Sequence, residues 1–416
     1  MSVRRMAAVD AQNYWTSAKI PSDEFLVYGF AGTPDVKQAL AQVRERARRC
    51  PEFGLRIRDR GRLAYPEWAT SDISGEQFVE HPAAAWGEYL AAVGRLHDDQ
   101  LDPRSMAWRL HVFPAVEGIP GADRGVVAVV QMAHALADGR RGSALVAWLF
   151  GREAPVAAVD GPPPLRGLTL PWRGFRAARA HQRLVRDTAA GLVAPQAGTC
   201  PALRSNARPE GARNVRTLVR KRAQVPGPTV TVGVLAAVSA AMSAHLGEMG
   251  DDPSLLRAEV PMAKAGKRLA NNHFGNVSIG LHPKLPFDER AARIAEEFEQ
   301  RRGRAAHPAM IASDRASAAV PAPLLRWGVG QFDPTVRSPT VIGNTVVSSV
   351  NRGAADLSFG GAPVVLTAGV PALSPMMGLT HGVHGIGDTI AITVHASESA
   401  IGDFDSYVER LDAALA

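Results

Sequence analysis

Gly125 to Met132, reading GVVAVVQM, is almost continuously apolar and β-branched, the composition of a strand covered on both faces. Such a strand requires a layered core, with other elements packed above and below it. It runs directly into His134, and after Gly139 the segment Gly142 to Phe150 is apolar at helical spacing. His134 and Asp138 are therefore expected at a strand-to-helix junction, the kind of place where open sheets present reactive groups.

Around that junction the chain alternates. Glu24 to Phe30 reads as a strand and Asp35 to Arg49 as a helix with Val36, Leu40, Val43 and Ala47 on one face. Phe53 to Arg58 and Trp108 to Val112 alternate as half-exposed strands do, and Glu117 to Arg124 reads as a polar loop. Residues 153–171, with GPPPL at 161–165, read as a linker. Further on, strands are expected near Val215–Val219, Arg257–Pro261, Asn276–Leu281, Val341–Val350, Val364–Ala368 and Thr389–Ala396. Helices are expected after Pro228, over Pro286–Arg304 and over Phe404–Leu415. A β-rich, helix-interrupted pattern that occurs twice predicts an α/β or α+β fold of two similar halves, and 416 residues suffice for two domains of roughly 200 each.

Composition narrows the classes. With 46% apolar and 21% charged residues the chain is ordinary globular material, which excludes disorder. Lys and Arg number 47 against 40 Asp and Glu, a modest excess that suits an anionic partner. No zinc-finger spacing, RNP-like motif or long basic block marks a nucleic-acid binder. Cys50 and Cys200 are far apart and outside any CxxC pair, so two reduced thiols in a cytoplasmic protein are expected. Arg4 and Arg5 are followed by no apolar segment of the signal-peptide kind, and no run of about 18 uncharged apolar residues suggests a membrane span. Arg173, Arg176, Arg179, Arg183 and Arg186 form a basic stripe on a helix from Trp172 to Arg186, either solvated or set against an anionic membrane or lipid-droplet surface.

The chemistry concentrates in His134-Ala-Leu-Ala-Asp138-Gly139. A hydroxyl that is to act as a nucleophile needs a base to take its proton, and histidine, with an ordinary pKa of about 6.5, is matched to that task. An acid four residues later, followed by glycine, suits a tight turn anchored by charge-assisted bonds to Arg or backbone amides. His381 and His384 lie in a Gly-rich stretch without an acidic third ligand, so no metal site is expected. GVHGIGD (382–388) precedes a strand, unlike a dinucleotide loop, and reads as a turn. Asn276 is either a buried amide holding two strands together or a polar group lining a channel. Ser348 or Ser349 could donate to a developing oxyanion.

The motif and its surroundings resemble the bacterial wax ester synthase/diacylglycerol acyltransferase family, within the coenzyme A-dependent acyltransferases that share an HHxxxDG motif. The resemblance runs through AAVDAQNYW (7–15), MAWRLHVF (106–113), HFGNVSIGLHPKLP (273–286), VVSSVNRG (346–353) and FGGAPV (359–364). It implies two chloramphenicol acetyltransferase-like lobes: residues 1–155 with the HxxxDG motif, a linker with the basic helix over 156–200, and 201–416. A channel would run between them, with acyl-CoA entering from one face and a hydroxyl-bearing lipid from the other. His134 would be the general base, with Asp138 and Gly139 structural and neither cofactor nor metal required. The implied activity is transfer of a fatty acyl group to a long-chain alcohol or diacylglycerol, at the cytoplasmic membrane or a lipid-droplet surface. The sequence departs from the family where Ala133 replaces the first histidine, where Thr231 and Val232 replace an Asn-Asp pair, and where Ser348 to Gly353 replaces Ser-Asn-Val-Pro-Gly-Pro. Those departures leave two alternatives: a non-lipid or carrier-bound acceptor, or a catalytically weak lipid-binding protein.

Overall fold

The computed structural model describes residues 3–160, 162 and 169–416, so most of the Pro-rich stretch at 161–165 lies outside it. Two mixed sheets carry the fold. The first has seven strands, running Ser358–Phe359, Ala362–Gly369, Glu24–Ala31, Ala122–Met132, Trp108–Ile119 and Phe78–Glu80, with Ala84–Ala85 also paired to Trp108–Ile119. The second has six, running Arg213–Lys221, Thr389–Ser397, Leu379–Ile386, Thr345–Asn351, Arg257–Ala263 and Phe274–Gly280. The expected two-lobed α/β architecture is what forms.

Every residue from Gly125 to Met132 is buried, as the β-branched run requires. Alternation sends Val126, Ala128, Val130 and Met132 into one core, shared with Leu26, Tyr28 and Phe30 and with the helices Val36–Arg48 and Gly139–Leu149. Val127 and Val129 enter another, with Phe25, Val27 and the helix Trp86–Leu96 through Tyr89, Leu90 and Val93. That second core also takes Val215 and Ala391 from the six-stranded sheet, so apolar burial joins the two halves. The helix Val230–Glu248, capped by Thr229 accepting from Val232 N at 3.2 Å, forms the centre of the third core. By length and composition it is apolar enough to cross a membrane, but most of it is buried inside the protein.

Three expectations change. The polar loop at 117–124 is a tight hairpin: one strand runs to Ile119 and the next begins at Ala122, with Gly121 at φ 91° supplying the turn. The Gly-rich stretch holding His381 and His384 is a fully buried strand, Leu379–Ile386, and only Gly387 and Asp388 form the turn. Gly382 serves close packing there, since a Cβ on it would stand 2.2 Å from Gly369 O. Residues 358–369 do not stay with the rest of 201–416. They join the first sheet, pairing antiparallel to Glu24–Ala31 from Val364 opposite Phe30 to Gly369 opposite Leu26.

Candidate active site

Between the buried strand and the helix Gly139–Leu149, residues 133–138 make a short turn in which Leu136 N donates to Ala133 O at 2.8 Å. Asp138 begins the helix by accepting from Arg141 N at 2.9 Å. Its carboxylate also accepts from Arg268 through both terminal nitrogens, at 2.8 and 3.2 Å, and from His273 N at 2.8 Å. Burial pushes Asp138 upward, but these donors together outweigh it and hold the group below the ordinary carboxylate value. Through these bonds to Arg268 and to backbone amides the acid anchors the loop.

A second clamp was not legible in the motif. Buried Asp10 accepts from Asn271 N and Asn272 N, each at 2.9 Å, and from Asn272 Nδ2 at 3.0 Å. Asn272 Nδ2 also donates to His134 O at 2.8 Å, and Asn271 Nδ2 to Ala135 O at 3.2 Å. Burial, opposed by these bonds, raises Asp10 to about 6. Residues 268–273 of the second half thus grip the histidine loop of the first. Asp10 lay within the stretch 7–15 that carried the resemblance, but nothing local in the sequence ties it to Asn271 and Asn272.

The His134 side chain is 23% exposed, so the ring is neither sealed in nor set free in solvent. Nδ1 lies 3.3 Å from Ala137 O and 3.3 Å from Glu24 Oε1. A carbonyl can only accept, so Nδ1 carries the proton and Nε2 keeps its lone pair. No hydrogen bond to Nε2 occurs among the described residues. Phe274, from a second-half strand, stacks on the ring at 5.7 Å between centroids. Burial lowers the ring's proton affinity below the ordinary histidine value, against the Ala137 carbonyl and the charges of Asp138, Asp10 and Asp23. A neutral imidazole with one unoccupied nitrogen can accept a proton.

Gly139 lies where the halves meet: a Cβ there would be 3.1 Å from Val350 Cγ2, so the strand Thr345–Asn351 packs close over the helix start. Alternation puts Ser348 on the same face as Val350, towards the motif, and Ser349 on the other. Ser349 Oγ is 2.8 Å from Thr231 Oγ1, on the first turn of the helix Val230–Glu248. Ser348 therefore shares the strand face that meets the motif, and Ser349 is turned to the helix Val230–Glu248 instead. Asn276 is exposed and not buried, and its amide donates to Glu259 on the neighbouring strand. The cause is its place on Phe274–Gly280, the outermost strand of the sheet. Among the described residues no cluster of three metal-ligating side chains occurs.

Comparison with known proteins gives a family match and a fold match. The family model for the wax ester synthase/diacylglycerol acyltransferase catalytic domain matches residues 24–246. The solved wax ester synthase/diacylglycerol acyltransferase from Marinobacter aquaeolei VT8 is similar over 99% of this chain and 98% of that one, with a TM-score of 0.64 at 18% identity. The starter condensation domain of rhizomide synthetase RzmA, solved as a double variant with C8-CoA and Leu-SNAC, is similar with a TM-score of 0.58 at 13% identity, over 99% of this chain and 93% of that one. No curated protein sequence matches. The structural likenesses establish a chloramphenicol acetyltransferase-like fold of two lobes.

Proposed function

Given that the chain belongs to the wax ester synthase/diacylglycerol acyltransferase family and is an acyltransferase, we propose that it moves a fatty acyl group from acyl-CoA to the hydroxyl of a long-chain alcohol or diacylglycerol, with His134 as general base. The observation that carries this reading is the free Nε2 of a neutral imidazole, held by a doubly clamped loop where the two lobes meet. The hydroxyl O–H bond breaks as its proton passes to Nε2, while the oxygen attacks the thioester carbonyl. The tetrahedral intermediate collapses with cleavage of C–S, and the imidazolium returns its proton to the departing thiolate sulfur. Ester and free coenzyme A leave, and the base is restored without a covalent enzyme intermediate. No cofactor or metal takes part in this scheme. Ser348, on the motif-facing side of its strand, is the candidate donor to the oxyanion.

The basic helix supports contact with a lipid surface that supplies the acceptor. It spans Thr169–Ala189, and Trp172 and Phe175 stand exposed on it, stacked at 6.1 Å beside the arginine stripe. Exposed Leu324 and Trp327 add apolar surface on the helix Ala322–Gly330.

The test is release of free coenzyme A from palmitoyl-CoA in the presence of hexadecanol, dioleoylglycerol or a carrier-bound hydroxyl. Turnover with either lipid sustains the proposal. Turnover with the carrier-bound acceptor alone moves the reading to the condensation-like alternative that the altered 231–232 and 348–353 segments allow. Lipid retained on purification without any thiol release leaves a binding protein instead.

A further inference from the structure

Glu24 begins the strand that sends Leu26, Tyr28 and Phe30 into the first core, and alternation puts all four side chains on that face. Its carboxyl is consequently drawn into the lobe. Oε1 stands 3.3 Å from His134 Nδ1, and Oε2 is buried without a hydrogen-bond partner among the described residues. Oε2 is also 3.5 Å from where a side chain on Gly142, in the motif helix, would begin. A carboxyl oxygen buried without a partner opposes folding, so stability does not account for its place. The charged groups around it come from three elements. Asp23 precedes it on the chain, Asp138 lies in the motif turn, and Arg352 reaches across from the second half. The Arg352 guanidinium donates to Ala368 O at 3.0 Å and lies 4.9 Å over the Tyr28 ring.

We propose that Glu24 is a positioning residue for the base: its carboxyl shares the Nδ1 proton of His134 with the Ala137 carbonyl, keeping Nε2 bare towards the acceptor hydroxyl and steadying the imidazolium once Nε2 has taken a proton. This rests on the reading of His134 as the base. Burial, then the charge of Asp138, raises Glu24 to about 8, with Arg352 pulling the other way and Asp23 adding to the rise. Above that pH the carboxylate faces a developing cation; below it a neutral acid does. Turnover of the wild-type protein should therefore rise through a limb near pH 8, separate from the more acidic limb of His134 itself.

The experiment compares pH profiles of kcat and KM, from pH 5 to 10, for the full chain, Glu24→Gln, Glu24→Leu and His134→Ala, with palmitoyl-CoA and hexadecanol. Glu24→Gln keeps an acceptor for Nδ1–H and removes the charge, so kcat should fall roughly tenfold above pH 8 with KM unchanged, and the upper limb should vanish. Glu24→Leu removes both and should cost more at every pH. An unchanged profile in Glu24→Gln, alongside an inactive His134→Ala, overturns the role of Glu24 alone; an active His134→Ala overturns the general-base reading on which it rests. Should the glutamate variants fail to fold, the ring nitrogens of His134 in the 15N-histidine-labelled wild-type protein decide. An Nδ1-protonated ring whose Nδ1 resonance moves near pH 8 supports the proposal, and an Nε2-protonated ring, or no movement there, refutes it.

Discussion

Two histidine-bearing stretches sit in opposite halves of this protein, and both hold neutral rings. In the strand Leu379–Ile386, His381 is fully buried, with Nδ1 2.9 Å from Thr345 Oγ1 and Nε2 2.8 Å from Tyr407 Oη. His384 fills the space left by Gly369 and Gly382. Burial lowers His381 to about 3 and holds His384 well below the ordinary histidine value. His134 is also lowered by burial, but only one of its nitrogens is occupied, and the loop beneath it is tied through the Asp138 carboxylate and the carbonyls of His134 and Ala135. Neutrality is common to both sites. A base needs, in addition, an unused lone pair that an acceptor can reach: His384 Nδ1 also lacks a partner, but that ring is buried within the strand, whereas the His134 side chain is 23% exposed where the halves meet.

Removing the ring that has a free nitrogen gives the largest expected effect. His134→Ala should lower the rate of coenzyme A release by about 10²–10⁴-fold while circular dichroism and Tm stay near wild type. Loss of fold together with activity would place His134 with the structural histidines. Next comes the clamp: Arg268→Met leaves buried Asp138 without its bidentate partner and should cost roughly 3 kcal/mol in denaturant unfolding, with turnover falling as the loop loosens. Asp138 is held below its ordinary value, so the clamp stabilises the fold above about pH 4 and its contribution fades as pH falls through the folded-state pKa. The stability gap between wild type and Arg268→Met should accordingly narrow below pH 4.

His381→Phe inverts the first prediction. It leaves the buried Tyr407 hydroxyl without its partner, while Thr345 keeps its bond to Leu379 O, and should cost about 1–3 kcal/mol of stability, yet kcat measured well below the new Tm should stay within about twofold. A large fall in kcat would show that the second-half strand reaches the chemistry. Glu24 carries a smaller, pH-dependent signature. Its folded-state pKa is raised, so its contribution to stability is greatest at acid pH and is lost as pH rises towards about 8. Glu24→Gln should therefore gain Tm relative to wild type between pH 5 and 9, by a few degrees. Ser349→Ala, which breaks only the bond to Thr231, should change stability by about 1 kcal/mol or less and leave turnover near wild type. Ser348→Ala should slow turnover, and the contrast between the adjacent serines tests which face of their strand looks onto the motif.

By itself, the sequence determined the parts that local periodicity and residue chemistry control. The β-branched run from Gly125, the helical spacing after Gly139 and the twofold alternation specified the central strand, the motif helix and the two-lobed class, because burial on a strand or helix has a period that residues close in sequence reveal. The turn that carries His134 and the helix cap made by Asp138 were legible for the same reason, since both are made within five residues. Tertiary structure alone decided everything that depends on distant segments. Asp10, Arg268, Asn271 and Asn272 act on the loop across more than a hundred residues of chain, as does Glu24 on His134. The surface position of Asn276 and the division of labour between Ser348 and Ser349 follow from sheet order and strand facing. The joining of 358–369 to the first sheet is a choice of pairing partner, and backbone hydrogen bonds are the same for every sequence. No periodicity records which strand will lie alongside, because that choice is made by the packing of whole lobes.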